Sequence, residues 1–273
     1  MQEEMGYVDC HCHLAAPEFA DDLDIVVKRG KEANIKAIIV VPEFFTEFER
    51  TLDICEQYSD FLFPCLGIHP VQRDSELTER SVMPDDLKDA IPFIDSHYNE
   101  IVGIGEVGLD FTPFYTKEID SKEKQREVLR FQAALAQKYD LPLNVHSRSA
   151  GRPTIKALKE CGATKVVLHA YSGNAASAME GVQAGYYFSI PPCIVRSEQK
   201  QNIVKRIPMD NILLETDSPA LGPEKQVRNE PSNITISCEW IAKIKGISVE
   251  DVQKITTENA CKLFPKLKSV LLE

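Results

Sequence analysis

Eight short apolar runs recur along the chain, separated by longer amphipathic, charge-rich segments. This alternation constrains the fold more than any other feature. The runs are YVDCH (7–11), AIIVV (37–41), LFPCLGIH (62–69), IVGIGE (101–106), PLNVH (142–146), KVVLH (165–169), YYFSI (186–190) and ILLETD (212–217). Each is strand-length and rich in β-branched or aromatic residues. The intervening segments carry helical spacing. Leu23, Val26 and Val27 repeat on one face of the first, and Val128, Leu129, Phe131 and Leu135 on one face of SKEKQREVLRFQAALAQKYD. A strand–helix unit repeated eight times predicts a (β/α)8 barrel, an α/β fold of one domain spanning residues 1–273. Two helices, over TISCEWIAKIKG and SVEDVQKITTENACKLF, follow the last strand.

In such a barrel the chemistry gathers at the C-terminal ends of the strands. Five of the six histidines fall there: His11, His13, His69, His146 and His169. Glu106 closes the fourth run and Asp217 the eighth, with Glu215 two residues earlier as a supporting group in the upper barrel. His97 lies in a helical segment and reads as a surface or helix-end residue. Along a strand, successive side chains alternate sides. His11 and His13 therefore share one face, and Cys10 and Cys12 are expected to face the surrounding helices as small apolar groups. Two imidazoles on one face at a barrel mouth read as metal ligands. The small residues of IGEVGLD (104–110) let backbone approach closely beside Glu106. Asp217 is placed to bind a metal and to accept a proton from water. Arg148 reads either as a contact to a substrate oxyanion or phosphate or as a solvated loop residue. His69 reads either as a contact to substrate or bound water or as support behind the ligands.

Composition excludes several classes. The eight cysteines are scattered with no CxxC pair, and no secretory signal opens the chain, so they read as free thiols. The apolar runs are too short to span a bilayer. The reading is an intracellular protein, nuclear or cytoplasmic and not secreted, with no membrane association and no obligate protein partner. A net charge of -11 opposes broad binding to nucleic acid through surface lysine and arginine. Metal ions at a local site can still supply positive charge to a phosphate-bearing substrate.

The motifs DCHCHL, GIHP, IGEVGLD, NVHSR, HAYSG, LLETDSP, RNEP (228–231) and TTENACKLF (256–264) occur in one order over nearly the whole chain. In that order they resemble the TatD family of metal-dependent deoxyribonucleases, within the amidohydrolase-like hydrolases. The resemblance implies two divalent ions, zinc, manganese or magnesium. His11, His13 and Asp217 would bind one, His146 and His169 the second, and Glu106 both. It places His69 and Arg148 against the scissile phosphate and implies hydrolysis of DNA phosphodiester bonds by a metal-activated water, exonuclease-like on single-stranded or damaged DNA, while the acidic balance favours short substrates over long DNA. The family commonly carries cysteine and phenylalanine where this chain has Ala170 and Tyr171, a change that leaves the ligand His169 in place. Related barrel hydrolases acting on amides, lactones or phosphotriesters often bridge their metals with a carboxylated lysine on strand four. That run here contains Glu106 and no lysine. A metal-binding scaffold without catalysis would be marked by a missing ligand, and all six ligand positions are filled.

Overall fold

The computed structural model describes residues 6–271, so residues 1–5 and 272–273 of the expected 1–273 domain lie outside the described residues. The elements run β1 Tyr7–Cys12, α1 Leu23–Glu32, β2 Ile35–Val40, α2 Phe48–Gln57, β3 Leu62–Leu66, β4 Val71–Arg73, β5 Glu79–Ser81, α3 Leu87–His97, β6 Gly103–Gly108 and α4 Ser121–Lys138. They continue β7 Leu143–His146, α5 Gly151–Glu160, β8 Val166–Leu168, α6 Ala175–Gln183, β9 Tyr187–Ile190, α7 Glu198–Arg206, β10 Ile212–Leu214, α8 Ile234–Lys245, α9 Val249–Leu263 and α10 Lys268–Leu271. Eight strands pair in the order β1-β2-β3-β6-β7-β8-β9-β10, every pair parallel. The architecture is the (β/α)8 barrel that the alternation predicts. No helix among the described residues is long and apolar enough to cross a membrane.

The seam between the last and first strands is closed above β10. Asp217 donates its N–H to His11 O (2.9 Å), and His13 donates to Ser218 O (2.8 Å). The Asp9 carboxylate adds a side-chain bridge, accepting the Thr216 N–H at 2.9 Å and the Thr216 hydroxyl at 2.5 Å. The floor is covered by α9 and the segment after it. Thr257 donates to Gly6 O, Asn259 to Met209 O and Ile212 O, and Lys266 to Ile101 O, all at the entry ends of strands. TTENACKLF therefore serves as the plug of the barrel, with Leu263 and Phe264 beneath the lower interior.

Three features depart from the sequence reading. First, Cys10 does not face the helices. It packs with Val8, Ala37, Ile39, Cys65, Val167 and Leu213 above Phe264, inside the barrel. The pairing of β1 with β2 is irregular between Asp9 and Cys12, which breaks strict alternation, so Cys10 and His11 both turn inward. Cys12 joins the outer layer, as expected. All eight cysteines are free. Second, Phe131 is 50% exposed. The expected Val128, Leu129 and Leu135 are buried, and the stripe is completed by Gln125, Gln132, Ala133 and Ala136 in place of Phe131. The two glutamines satisfy their own amides by gripping the backbone N–H and C=O of one residue each. Gln132 accepts from Ile68 N (2.8 Å) and donates to Ile68 O (3.0 Å), and Gln125 does the same to Asp110 (2.8 and 2.9 Å). A stripe judged by hydrophobicity alone passes over such residues. Third, β4 and β5 form an antiparallel hairpin that follows His69 directly.

Candidate metal centre

The strand ends deliver their side chains to one cavity of about 450 Å³, whose lining includes His13, His69, Glu106, His146, Arg148, His169 and Asp217. Glu106 stands at its base, 1% exposed. A close fit of glycines puts it there. A Cβ on Gly105 would meet Asn144 Cβ at 2.6 Å, and one on Gly108 (φ 141°) would meet His146 O at 2.1 Å.

The two carboxylate oxygens of Glu106 face different imidazoles. Oε2 lies 3.6 Å from Nε2 of both His11 and His13. Oε1 lies 2.7 Å from His146 Nδ1, 2.9 Å from His169 Nε2 and 3.6 Å from His69 Nε2. Asp217 Oδ1 stands 3.4 Å from His11 Nε2 and 3.2 Å from His13 Nε2. The His11 and His169 rings stack, 3.7 Å between centroids and 3° from parallel, so the two groups of candidate ligands share a wall. Asp217 adopts φ 55°, an uncommon conformation for a residue other than glycine, and the hydrogen bonds of the seam hold it there.

Most of these rings are aimed by the nitrogen that faces away from the centre. His11 Nδ1 lies 2.8 Å from Asn144 Oδ1, His13 Nδ1 lies 3.0 Å from Val41 O, and His146 Nε2 lies 3.3 Å from Asp110 Oδ2. Such partners fix the orientation and raise the basicity of a ligating imidazole. Glu215, fully buried, does not reach into the ligand groups. It accepts the Ala170 N–H (2.8 Å) and the Ser189 hydroxyl (2.5 Å) beside His169.

Electrostatics separates the carboxyls. Burial alone would push Glu106 up, but the imidazoles of His69, His169 and His11 hold it well below the usual carboxylate range. Asp217 likewise resists the upward push of burial, through His11 and His13, and stays ionised. Burial lowers His13, yet Asp217 and Glu106 overcome it and raise the imidazole to about 10. Glu215 has no such neighbours in hydrogen-bond range, and burial pushes it up to about 8. Perturbation of this kind in opposite directions within one cleft marks a functional site.

The donor set fits a divalent metal. Glu106 Oε2 is buried without a hydrogen-bond partner, a costly arrangement for a carboxylate oxygen. Three groupings, His11/His169/Asp217, His11/His13/Glu106 and His69/Glu106/His146, each bring their ligand atoms within 4.8 Å of one another. Imidazole and carboxylate donors in that number suit zinc or manganese better than calcium.

The family model described as TatD related DNase matches residues 8–265. The chain belongs to the TatD-related DNase family. It is 57% identical to the human deoxyribonuclease TATDN3 over 98% of this chain and 97% of that protein. It is 35% identical to the Bacillus subtilis metal-dependent hydrolase YabD, over 94% of this chain and 98% of that protein. Among solved structures, the Escherichia coli TatD homologue YJJV superposes with a TM-score of 0.83 at 26% identity, covering 95% of this chain and 98% of that one.

This TatD-family chain contains positioning residues that the sequence reading passed over. Asp110 ends the same glycine-rich motif as Glu106 and joins His146 to Arg148, whose Nε it holds at 2.7 Å. Asn144, two residues before His146, donates to Cys10 O (2.8 Å) and meets the His11 ring. Alternation along β7 was the available signal, since it puts Asn144 on the face of His146. RNEP acquires a structural meaning too. Asn229 donates its amide to Thr216 O (2.8 Å) and its backbone N–H to Pro219 O (2.9 Å), bracketing Asp217. His97 ends α3, its Nδ1 2.8 Å from Phe93 O, far from this centre in role.

Proposed function

We propose that the protein is a deoxyribonuclease that hydrolyses phosphodiester bonds with two divalent ions held in this cavity. His11, His13 and Asp217 would hold one, His146 and His169 the other, and Glu106 would serve both. The observation that carries the reading is Glu106 itself: one oxygen faces the β1 histidines, the other faces His146 and His169, and Oε2 has no protein partner. When bound, divalent ions lower the pKa of a water and neutralise charge on the phosphodiester. The substrate class follows from the TatD-related family and from the human deoxyribonuclease.

Within that reading, Asp217 stays ionised and orients the attacking water through Oδ1. Arg148 is fastened at Nε by Asp110, while its half-exposed side chain lines the cavity and meets a non-bridging phosphate oxygen. In this reading His69 Nδ1 accepts the Val71 N–H (3.1 Å) rather than donating to Val71 O (3.2 Å), which makes Nε2–H the donor facing the centre. His69 thereby supports Glu106 and the phosphate as a hydrogen-bond donor. The acidic Glu18, Glu43 and Glu47 also line the cavity, and with the net charge of -11 they favour short or single-stranded DNA over a long duplex.

The test is digestion of end-labelled single- and double-stranded oligonucleotides with a panel of zinc, manganese and magnesium, against a chelator control. The expected result is cleavage that stops with chelator and returns with added metal, faster on single strands. Absence of cleavage with every metal, or cleavage indifferent to chelator, would overturn the proposal.

A further inference from the structure

Among the described residues, Lys200 is the only buried lysine or arginine, 7% exposed. It is the third residue of α7, whose start is capped by Ser197, the Lys200 N–H reaching Ser197 Oγ at 3.3 Å. Its Nζ donates to Ala170 O at 2.9 Å, and no carboxylate among the described residues lies within ion-pair distance. An ammonium carries three N–H donors, so one backbone carbonyl leaves most of its capacity unused. Burying such a group without a counter-charge is costly. Yet Lys200 lines the same cavity as His169, Ser172 and Asp217.

Its position in the barrel gives that charge a direction. Arg148 follows β7, His169 follows β8, and Lys200 follows β9, so the two cations bracket His169 on neighbouring strands. Glu215, the acidic group nearest in the sheet, is already committed to the Ala170 N–H and the Ser189 hydroxyl. Lys200 and Glu215 feel one another electrostatically, but no carboxylate oxygen pairs with Nζ, so its unused N–H donors are available to whatever enters the cavity.

We infer that Lys200 is a substrate-binding residue that grips a phosphate oxygen on the side of His169 opposite Arg148. The ligand chemistry is a phosphoryl anion, and the inference rests on the phosphodiester reading for its assignment to the phosphate of a nucleotide chain. A strand bound between two cations spaced around one ligand histidine has its backbone held at two points, which sets which phosphate is presented for hydrolysis.

The experiment measures binding of inorganic phosphate and of a phosphorothioate trinucleotide by calorimetry at three salt concentrations. It uses the metal-loaded wild type, Lys200→Gln and Lys200→Arg, with thermal melts of each. Loss of one charge-assisted contact predicts weakening of both ligands by about tenfold in Lys200→Gln. It also predicts a slope against log salt reduced by about one for the trinucleotide. Lys200→Arg should restore most of the affinity. Binding by Lys200→Gln within twofold of wild type at every salt would overturn the inference. So would weakening confined to inorganic phosphate, which would place the cation off the nucleotide path. A purely structural tether to Ala170 predicts a lowered melting temperature, an unchanged salt slope and no rescue by arginine, and would overturn it as well. Failure of the wild type to cleave DNA would remove the proposed substrate while leaving the phosphate arm decisive.

Discussion

The Asp9 carboxylate takes the Thr216 N–H on one oxygen and the Thr216 hydroxyl on the other, joining β1 to the segment that delivers Asp217. Four charged or candidate ligating groups, Asp9, His11, His13 and Asp217, thus sit on the seam between β10 and β1, where no regular strand ladder runs among the described residues. The seam is held by side chain as well as backbone, and the ligand geometry depends on both.

Asp9 makes the stability of the metal-free protein pH-dependent. Burial raises its pKa from 3.8 to about 7, against the opposing pull of its hydrogen bonds from Thr216 and His11. Below pH 3.8 both folded and unfolded chains hold the proton. Between 3.8 and about 7 the folded chain keeps a proton that the unfolded chain releases, so this contribution is lost as pH rises through that window. Urea unfolding at pH 5 and pH 8 should show the wild type losing about 2–3 kcal/mol more than Asp9→Asn, which cannot titrate. Equal losses in the two proteins would contradict the assignment.

Asn144 aims the His11 ring without touching the centre. Truncation in Asn144→Ala frees the ring and removes the amide donor to Cys10 O. Metal affinity, titrated against a competing chelator, should fall about 10–100-fold. Unchanged affinity would mean that the ring needs no second anchor.

Asp110→Asn removes the carboxylate shared by His146 and Arg148. The loss of orientation at two groups should lower kcat/KM on an oligonucleotide by about tenfold or more, with the melting temperature of the loaded protein little changed. A variant as active as wild type would show that Arg148 and His146 are placed by other contacts.

Asp217→Asn leaves the seam's backbone hydrogen bonds in place and removes the ionised carboxylate of a proposed ligand. Hydrolysis should fall by at least about a thousandfold while circular dichroism stays native. Near wild-type turnover would exclude Asp217 from the reaction.

On α4, the buried stripe predicts opposite outcomes for two neighbouring apolar residues. Leu129→Ala, at a fully buried position, should cost about 2–5 kcal/mol. Phe131→Ala, half in solvent, should stay within about 0.5–1 kcal/mol in the same denaturant titration. Similar losses at both positions would argue that the helix packs on a different face.

The sequence by itself determined the barrel and brought the proposed ligands to one neighbourhood. Strand period, run length and the placement of His11, His13, Glu106, His146, His169 and Asp217 at run ends are local properties, readable wherever a backbone repeats. What only the tertiary structure decided are contacts between distant segments. Asn144 reaches His11 across 133 residues and Asp9 reaches Thr216 across 207. Gln132 clamps Ile68 across 64, from a stripe position that looks polar in isolation. Cys10 turned inward because β1 loses register with β2 between Asp9 and Cys12, and Lys200 became a cavity residue because α7 starts beside Ala170. Periodicity records which face of an element a residue occupies. It carries no information about which partner stands opposite, because that depends on how the closed sheet brings unrelated strands together.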